Sequence, residues 1–110
     1  MTQQLDLFTG RLEGIVEDDG QGSIQERFER FHEANPQVYR ELRRMALDLA
    51  CKGLPRIGIG MLWEVLRYSS IQTTGKDFKL NDHFRSRYAR LLLQREPSLE
   101  SRIELRQLRS

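Results

Sequence analysis

The chain has 110 residues, 38% hydrophobic and 31% charged, with a formal net charge of +2. That length allows one modest domain with a real core, and no apolar run approaches the roughly 18 residues a membrane span needs. A lone cysteine, Cys51, excludes an internal disulfide and a cysteine-based zinc cluster; with no signal peptide in the sequence, a reducing cytoplasm is the expected setting.

The charge is unevenly spread. Residues 1–22 carry one base, Arg11, against five acids (Asp6, Glu13, Glu17, Asp18 and Asp19), a net of −4. Residues 23–110 carry 17 bases and 11 acids, a net of +6, so a basic body follows an acidic tail. Such a body makes nucleic acid a candidate partner.

Residues 1–22 read as a flexible tail. Within it Gln4-Leu5-Asp6-Leu7-Phe8 places three large apolar side chains in a segment with no helical or strand period of its own. A knot of this kind needs either a groove on its own domain or a pocket on a partner. The run resembles the short peptide with which bacterial DNA polymerases, mismatch-repair proteins and replication regulators dock on the sliding clamp of the replicative polymerase. That family pattern is Gln-Leu-(Ser or Asp)-Leu-Phe, and all five positions agree; by chance a chain of this size would match roughly 2 times in 10,000. The resemblance implies that Leu7 and Phe8 enter the clamp's hydrophobic pocket, each worth roughly 1.5–3 kcal/mol on full burial. It further implies that Gln4 hydrogen bonds through its amide, Leu5 makes a smaller apolar contact, and Asp6 faces solvent or a basic rim. A single copy of such a peptide is expected to bind with micromolar strength. Thr9 to Gly22, with four glycines and the Glu17-Asp18-Asp19 run, reads as the linker.

Residues 23–110 read as a compact, mostly α domain of four to five helices. Ser23-Ile24-Gln25-Glu26 is a capping box, and the helix it opens carries Ile24, Phe28 and Phe31 on one face. Asn35-Pro36 stops that helix and caps the next, which shows Val38, Leu42, Met45 and Leu49 at helical spacing and ends at Gly53. After the Leu54-Pro55-Arg56 turn, Ile57 to Tyr68 predicts a third helix around Leu62, Val65 and Leu66, with Gly58 and Gly60 weakening its start. Ser69 to Leu80 is β-branched and polar around Gly75, and reads as a small hairpin or a loop. Asn81 then caps a fourth helix to about Arg95, Glu96-Pro97-Ser98 breaks it, and a short charged helix is expected from Leu99 to about Leu108.

Two helices around a turn followed by a hairpin is also the order of a winged helix-turn-helix, which would make the third helix a DNA reader. Trp63, Val65 and Leu66 make it apolar for that task. The fourth helix is more informative. Phe84, Tyr88, Leu91 and Leu92 define its inner face, while His83, Arg87, Arg90 and Gln94 line the opposite side, with Lys76 and Lys79 just before it. Such a stripe suits phosphate contact; the alternative is an ordinary solvated face with helical surface pairs such as Glu26–Arg30. The wider chain, with Arg87-Tyr88-Ala89-Arg90 after Phe78-Lys79-Leu80-Asn81, resembles small uncharacterised phage and prophage proteins, which implies no activity.

Nothing in the sequence calls for an enzyme or a cofactor. His32 and His83 sit on separate helices without a second ligand at metal spacing and read as surface or boundary residues. Cys51 reads as core rather than nucleophile, Trp63 as a core or interface aromatic, and no phosphate-binding glycine loop is present. The expectation is a non-enzymatic protein that docks on the sliding clamp through its tail and presents a basic helical body to DNA or a replication factor. The alternatives are a phage inhibitor of the host clamp or clamp loader, and a helix-turn-helix regulator. Neither a membrane nor a small-molecule substrate is expected.

Overall fold

The computed structural model describes residues 14–75 and 81–104. Four helices follow in order: α1 (Ile24–Ala34), α2 (Pro36–Cys51), α3 (Ile59–Thr74) and α4 (His83–Arg95), then a 3-10 turn at Pro97–Leu99. There is no strand among the described residues, and no helix among them is long and apolar enough to cross a membrane.

Local chemistry sets most of these boundaries. The Ser23 hydroxyl accepts from the Glu26 amide at 3.2 Å, and the Glu26 carboxylate accepts from the Ser23 amide at 2.9 Å, which completes the capping box. Glu26 is thereby committed to the cap, and Arg30 pairs with Asp19 at 2.8 Å instead of making the predicted Glu26–Arg30 surface pair. At the end of α2 the Gly53 backbone is left-handed (φ +88°), and the Leu54 amide reaches back to the Leu49 carbonyl at 3.1 Å, closing the helix as a glycine-based motif does. Asn81 opens α4 with its side-chain oxygen accepting from the His83 amide at 2.9 Å.

The core is aromatic. Phe28 meets Tyr88 edge-on at 4.8 Å between ring centroids, Phe31 lies 5.2 Å from Phe84, and Trp63 lies 5.7 Å from Tyr88. Val38, Leu42, Leu62, Leu66, Leu92, Leu99 and Ile103 fill the remaining space. Each fully buried side chain of this size stabilises the fold by roughly 1.5–3 kcal/mol through its transfer from water.

Several expectations are corrected. The segment predicted as a hairpin or loop is helical as far as Thr74; residues 76–80, with Lys76 and Lys79, lie outside the described residues. Serine, threonine and isoleucine disfavour helix by only a few tenths of a kcal/mol each, and Ser70 continues the buried face begun by Leu62 and Leu66. Gly75 is not a hairpin turn but the left-handed cap of α3 (φ +74°), its amide donating to the Ile71 carbonyl at 2.7 Å. No atom would crowd a Cβ there, so the cost of a side chain is conformational. Gly75→Ala should lower stability by about 1 kcal/mol, and Gly75→Asn by less, in urea denaturation of the full chain.

The second correction concerns the helix expected from Leu99. Leu99 instead ends the 3-10 turn, and Ile103 adds one further turn, its amide donating to the Leu99 carbonyl at 3.1 Å. The Arg102 carbonyl then accepts from the Ile57 amide at 2.8 Å, which ties the C-terminal turn to the start of α3 and leaves Ile57 outside that helix. Residues 105–110 lie outside the described residues. The third correction is Cys51, which is exposed at the last turn of α2 rather than packed in the core.

The second half of the expected linker is not free chain. From Ile15, which is buried, to Gly22 it forms a strap along α1. The fully buried Asn35 side chain accepts from the Val16 amide at 2.7 Å and donates to the Val16 carbonyl at 2.8 Å. It also donates to the Phe31 carbonyl at 3.0 Å, so it serves the strap rather than capping α2. Further along, Arg27 clasps Asp18, Arg30 clasps Asp19, and the Asn81 amide adds a 3.3 Å contact to Asp18.

Candidate functional site

Gln4, Leu5, Asp6, Leu7 and Phe8 lie outside the described residues, as do Lys76 and Lys79. The remaining predicted site residues are all on α4. Arg87, Arg90 and Gln94 line one wall of an open groove of about 1040 Å³ between α1 and α4; His83 is exposed beyond its end. The groove also takes in Arg40 and Arg95, which the sequence reading missed.

The opposite wall is mainly acidic, Glu26, Glu29 and Glu33 lining it together with Gln25 and with Arg30, which is paired to Asp19 at 2.8 Å. Gln25, Glu29 and Glu33 recur every fourth residue and so share one face of α1. The floor is formed by Phe28, His32, Tyr39 and Leu91. From Arg87 to Arg95 the α4 wall runs about 12 Å at 1.5 Å per residue. The two walls are joined at one end by a polar relay. The Arg87 Nε donates to the Gln25 Oε1 at 2.8 Å, and the Gln25 Nε2 donates to the Glu29 carboxylate at 3.0 Å. At the other end the Arg95 guanidinium lies over the Tyr39 ring, 4.9 Å from its centroid.

His32 is a boundary residue, half-buried in the groove floor. Its ring stacks parallel to Phe28 at 6.0 Å and meets Tyr39 and Tyr88 edge-on. Burial, and secondarily the Arg95 charge, hold its pKa below the ordinary imidazole value, which keeps it neutral at pH 7. Its Nδ1 finds no hydrogen-bond partner among the described residues. A neutral, stacked imidazole supports packing here rather than anion binding.

This geometry changes the meaning of the α4 stripe. Arg87 is held by Gln25 and does not project freely, and the basic wall faces the Glu29 and Glu33 carboxylates across the groove. A phosphate backbone lying in the groove would gain from one wall and be repelled by the other. A peptide segment carrying both signs of charge on either side of an apolar stripe satisfies both walls.

Neither rival site gains support. α3, the reader in a helix-turn-helix, exposes Met61, Glu64, Val65 and Tyr68, and its Arg67 is paired with Glu64 at 3.6 Å. That face offers little to phosphate or base edges. Among the described residues no three His, Cys, Asp or Glu side chains gather as a metal cluster.

The acidic wall could have been found from the sequence, since Gln25, Glu29 and Glu33 are evenly spaced. What the spacing could not supply was the fact that this face and the α4 arginines border one groove. Comparison with protein-family models, with curated proteins and with solved structures finds no match to this chain.

Proposed function

We propose that this protein is a non-enzymatic, cytoplasmic accessory of bacterial DNA replication that docks on the sliding clamp through Gln4–Phe8. The observation that carries the reading is the five-position agreement of Gln4-Leu5-Asp6-Leu7-Phe8 with the clamp-docking pattern. The helical body then presents the α1/α4 groove to a segment of a replication protein. Its acidic and basic walls favour a protein partner over duplex DNA.

The strap bears on how the two parts would work together. Only Thr9–Gly14 separates the peptide from the strapped chain, and those six residues span at most about 22 Å however they are arranged. A clamp-docked peptide therefore holds the body close against the clamp surface. That short tether favours a second reading, in which the body covers neighbouring clamp or loader surface and inhibits host polymerases, as a phage protein would.

A pull-down with purified clamp tests the first claim, with intact protein retained and protein lacking residues 1–10 lost. Arg87→Ala with Arg90→Ala tests the second. The pair should weaken the full chain's affinity for clamp or loader measurably while leaving DNA binding at moderate salt absent in both proteins. If the body does hold DNA by phosphate contacts, the same change should instead lower the salt slope by about 2.

A further inference from the structure

The strap lies across the side of α1 turned away from Gln25 and Glu29. From Glu17 to Gly22 it places no side chain in the core and is held to the body by polar contacts. Asp18 accepts from the Arg27 Nε at 3.1 Å, from the Arg27 Nη2, and from the Asn81 amide at 3.3 Å. Asp19 accepts from the Arg30 Nε at 3.0 Å and Nη2 at 2.8 Å, and the Gln21 carbonyl accepts from the same guanidinium. Arg27 and Arg30 are three residues apart and so stand side by side on the helix. With Asn81 they make a built anion site, occupied by the chain's own carboxylates. Glu26 is committed to the helix cap and Glu33 lies a turn beyond Arg30, so the site runs from Arg30 through Arg27 to Asn81.

An arginine fork that clasps a carboxylate clasps a phosphate in the same way. The strap itself decides which anion can replace it. It is anchored at both ends, by Val16 on Asn35 and by Ser23 at the head of α1, so its carboxylates act at a local concentration of about millimolar or more. A short acidic peptide offering the same contacts from solution does not displace it. A nucleic-acid backbone competes, because it carries a charge at every nucleotide and releases bound counterions as the arginines replace them. Residues 23–110 carry a net charge of +6, which attracts such a polymer, and the strap sets Glu17, Asp18 and Asp19 against that field.

We propose that Arg27, Arg30 and Asn81 form a phosphate-binding site for a nucleic-acid backbone and that the strap is its cover, with Asp18 and Asp19 standing where phosphates lie once it opens. Exposed ion pairs hold a segment weakly, and no strap residue after Ile15 is in the core, so opening leaves the core intact. The closed chain does not bind nucleic acid at moderate salt; the opened chain binds it through phosphate, without sequence preference. The site stands independently of the clamp peptide and of the groove's partner.

Fluorescence anisotropy of a labelled DNA strand of about 20 nucleotides, and of its duplex, titrated with the full chain reads this out. Asp18→Asn with Asp19→Asn should tighten binding at least about tenfold at about 50 mM salt and steepen the salt slope by about 2, as two arginines are freed. Asp19→Asn alone, at a half-exposed position, should steepen it by about 1 with an unchanged melting temperature. Glu17→Gln with Glu100→Gln makes the same change in net charge, leaves both arginines clasped, and should have neither effect. Adding Arg27→Ala and Arg30→Ala to the opened chain should return it to the parent's affinity. A gain shared by the charge-matched control, a gain that survives loss of both arginines, or no gain at all would overturn the proposal. So would an opened chain that binds a poly-glutamate peptide of about ten residues as tightly as the oligonucleotide, since the site then serves an acidic protein segment.

Discussion

Replacing both Leu7 and Phe8 with alanine should remove at least about 3 kcal/mol of clamp affinity, a loss of roughly 150-fold or more. The reasoning is that of a short docking peptide. Two adjacent large apolar side chains supply most of the binding energy, and the flanking residues supply orientation and exclude water. Isothermal titration against purified clamp measures the loss directly. The melting temperature of the free protein should stay within about a degree of the parent, because on this reading the two side chains serve a partner; among the described residues Ile15 is the first in the core. A double variant that binds the clamp like the parent, or that melts several degrees lower, would show that the peptide serves the fold and not a partner. Asp6→Ser, a change the clamp-docking pattern accepts, should leave affinity nearly unchanged.

Three of the four helix starts were legible because they depend on two or three adjacent residues; α3, expected from Ile57, begins at Ile59. Ser23 with Glu26, Pro36 and Asn81 each act over a few ångströms, and the structure places helix starts where those residues predict them. Helix ends were equally legible at α1, α2 and α4, but α3, expected to stop at Tyr68, runs on to Thr74. The β-branched run after Ser69 points to strand by propensity, but the buried line of Leu62, Leu66 and Ser70 outweighs a sum of small local preferences. Inner faces were read correctly where aromatic residues dominate, as for Phe84 and Tyr88. They were misread at Val65, which is 41% exposed, because an apolar residue at helical spacing was assumed to point inward. The candidate groove was half legible. Its basic wall follows from Arg87, Arg90 and Gln94 on one helix, whereas its acidic wall and floor depend on how α1 packs beside α4. No spacing within either segment encodes that.

The strap was the element least visible in the sequence, and it supports the second large prediction. A run of Gly, Glu and Asp ordinarily reads as solvated linker, since nothing local can order it. Here its partners are 9 to 63 residues away: Asp18 with Arg27 and Asn81, Asp19 with Arg30, Val16 with Asn35. Asn35 is the critical member, because its amide alone satisfies both backbone groups of Val16. Asn35→Ala would leave those groups, and the Phe31 carbonyl contact, without the side chain that serves them. The expected cost is about 2 kcal/mol, which for a domain of this size lowers the melting temperature by about 8–16 °C. Amide exchange should accelerate at Val16 more than in α2 or α3, since the strap is released before the core opens.

Acid should act on the same element. The hydrogen bonds from Arg27, aided by the Gly20 amide and Asn81 and opposed by burial, hold the Asp18 carboxyl well below its ordinary value of 3.8. A depressed carboxylate contributes stability above its unfolded pKa and loses that contribution as pH falls toward the folded one. Strap release should therefore set in below about pH 4, and Asp18→Asn should reduce that pH dependence while weakening the strap at neutral pH, leaving the part due to Asp19, whose carboxyl the Arg30 hydrogen bonds also hold below its ordinary value. Because the strap sets how close a docked peptide holds the body, Asn35→Ala also separates two roles. It should leave the affinity of the peptide itself intact, yet reduce any added clamp or loader contact made by the α1/α4 groove. If Asn35→Ala melts like the parent and Val16 exchanges no faster, the strap makes no contribution to the fold, and the six-residue limit on the tether falls with it.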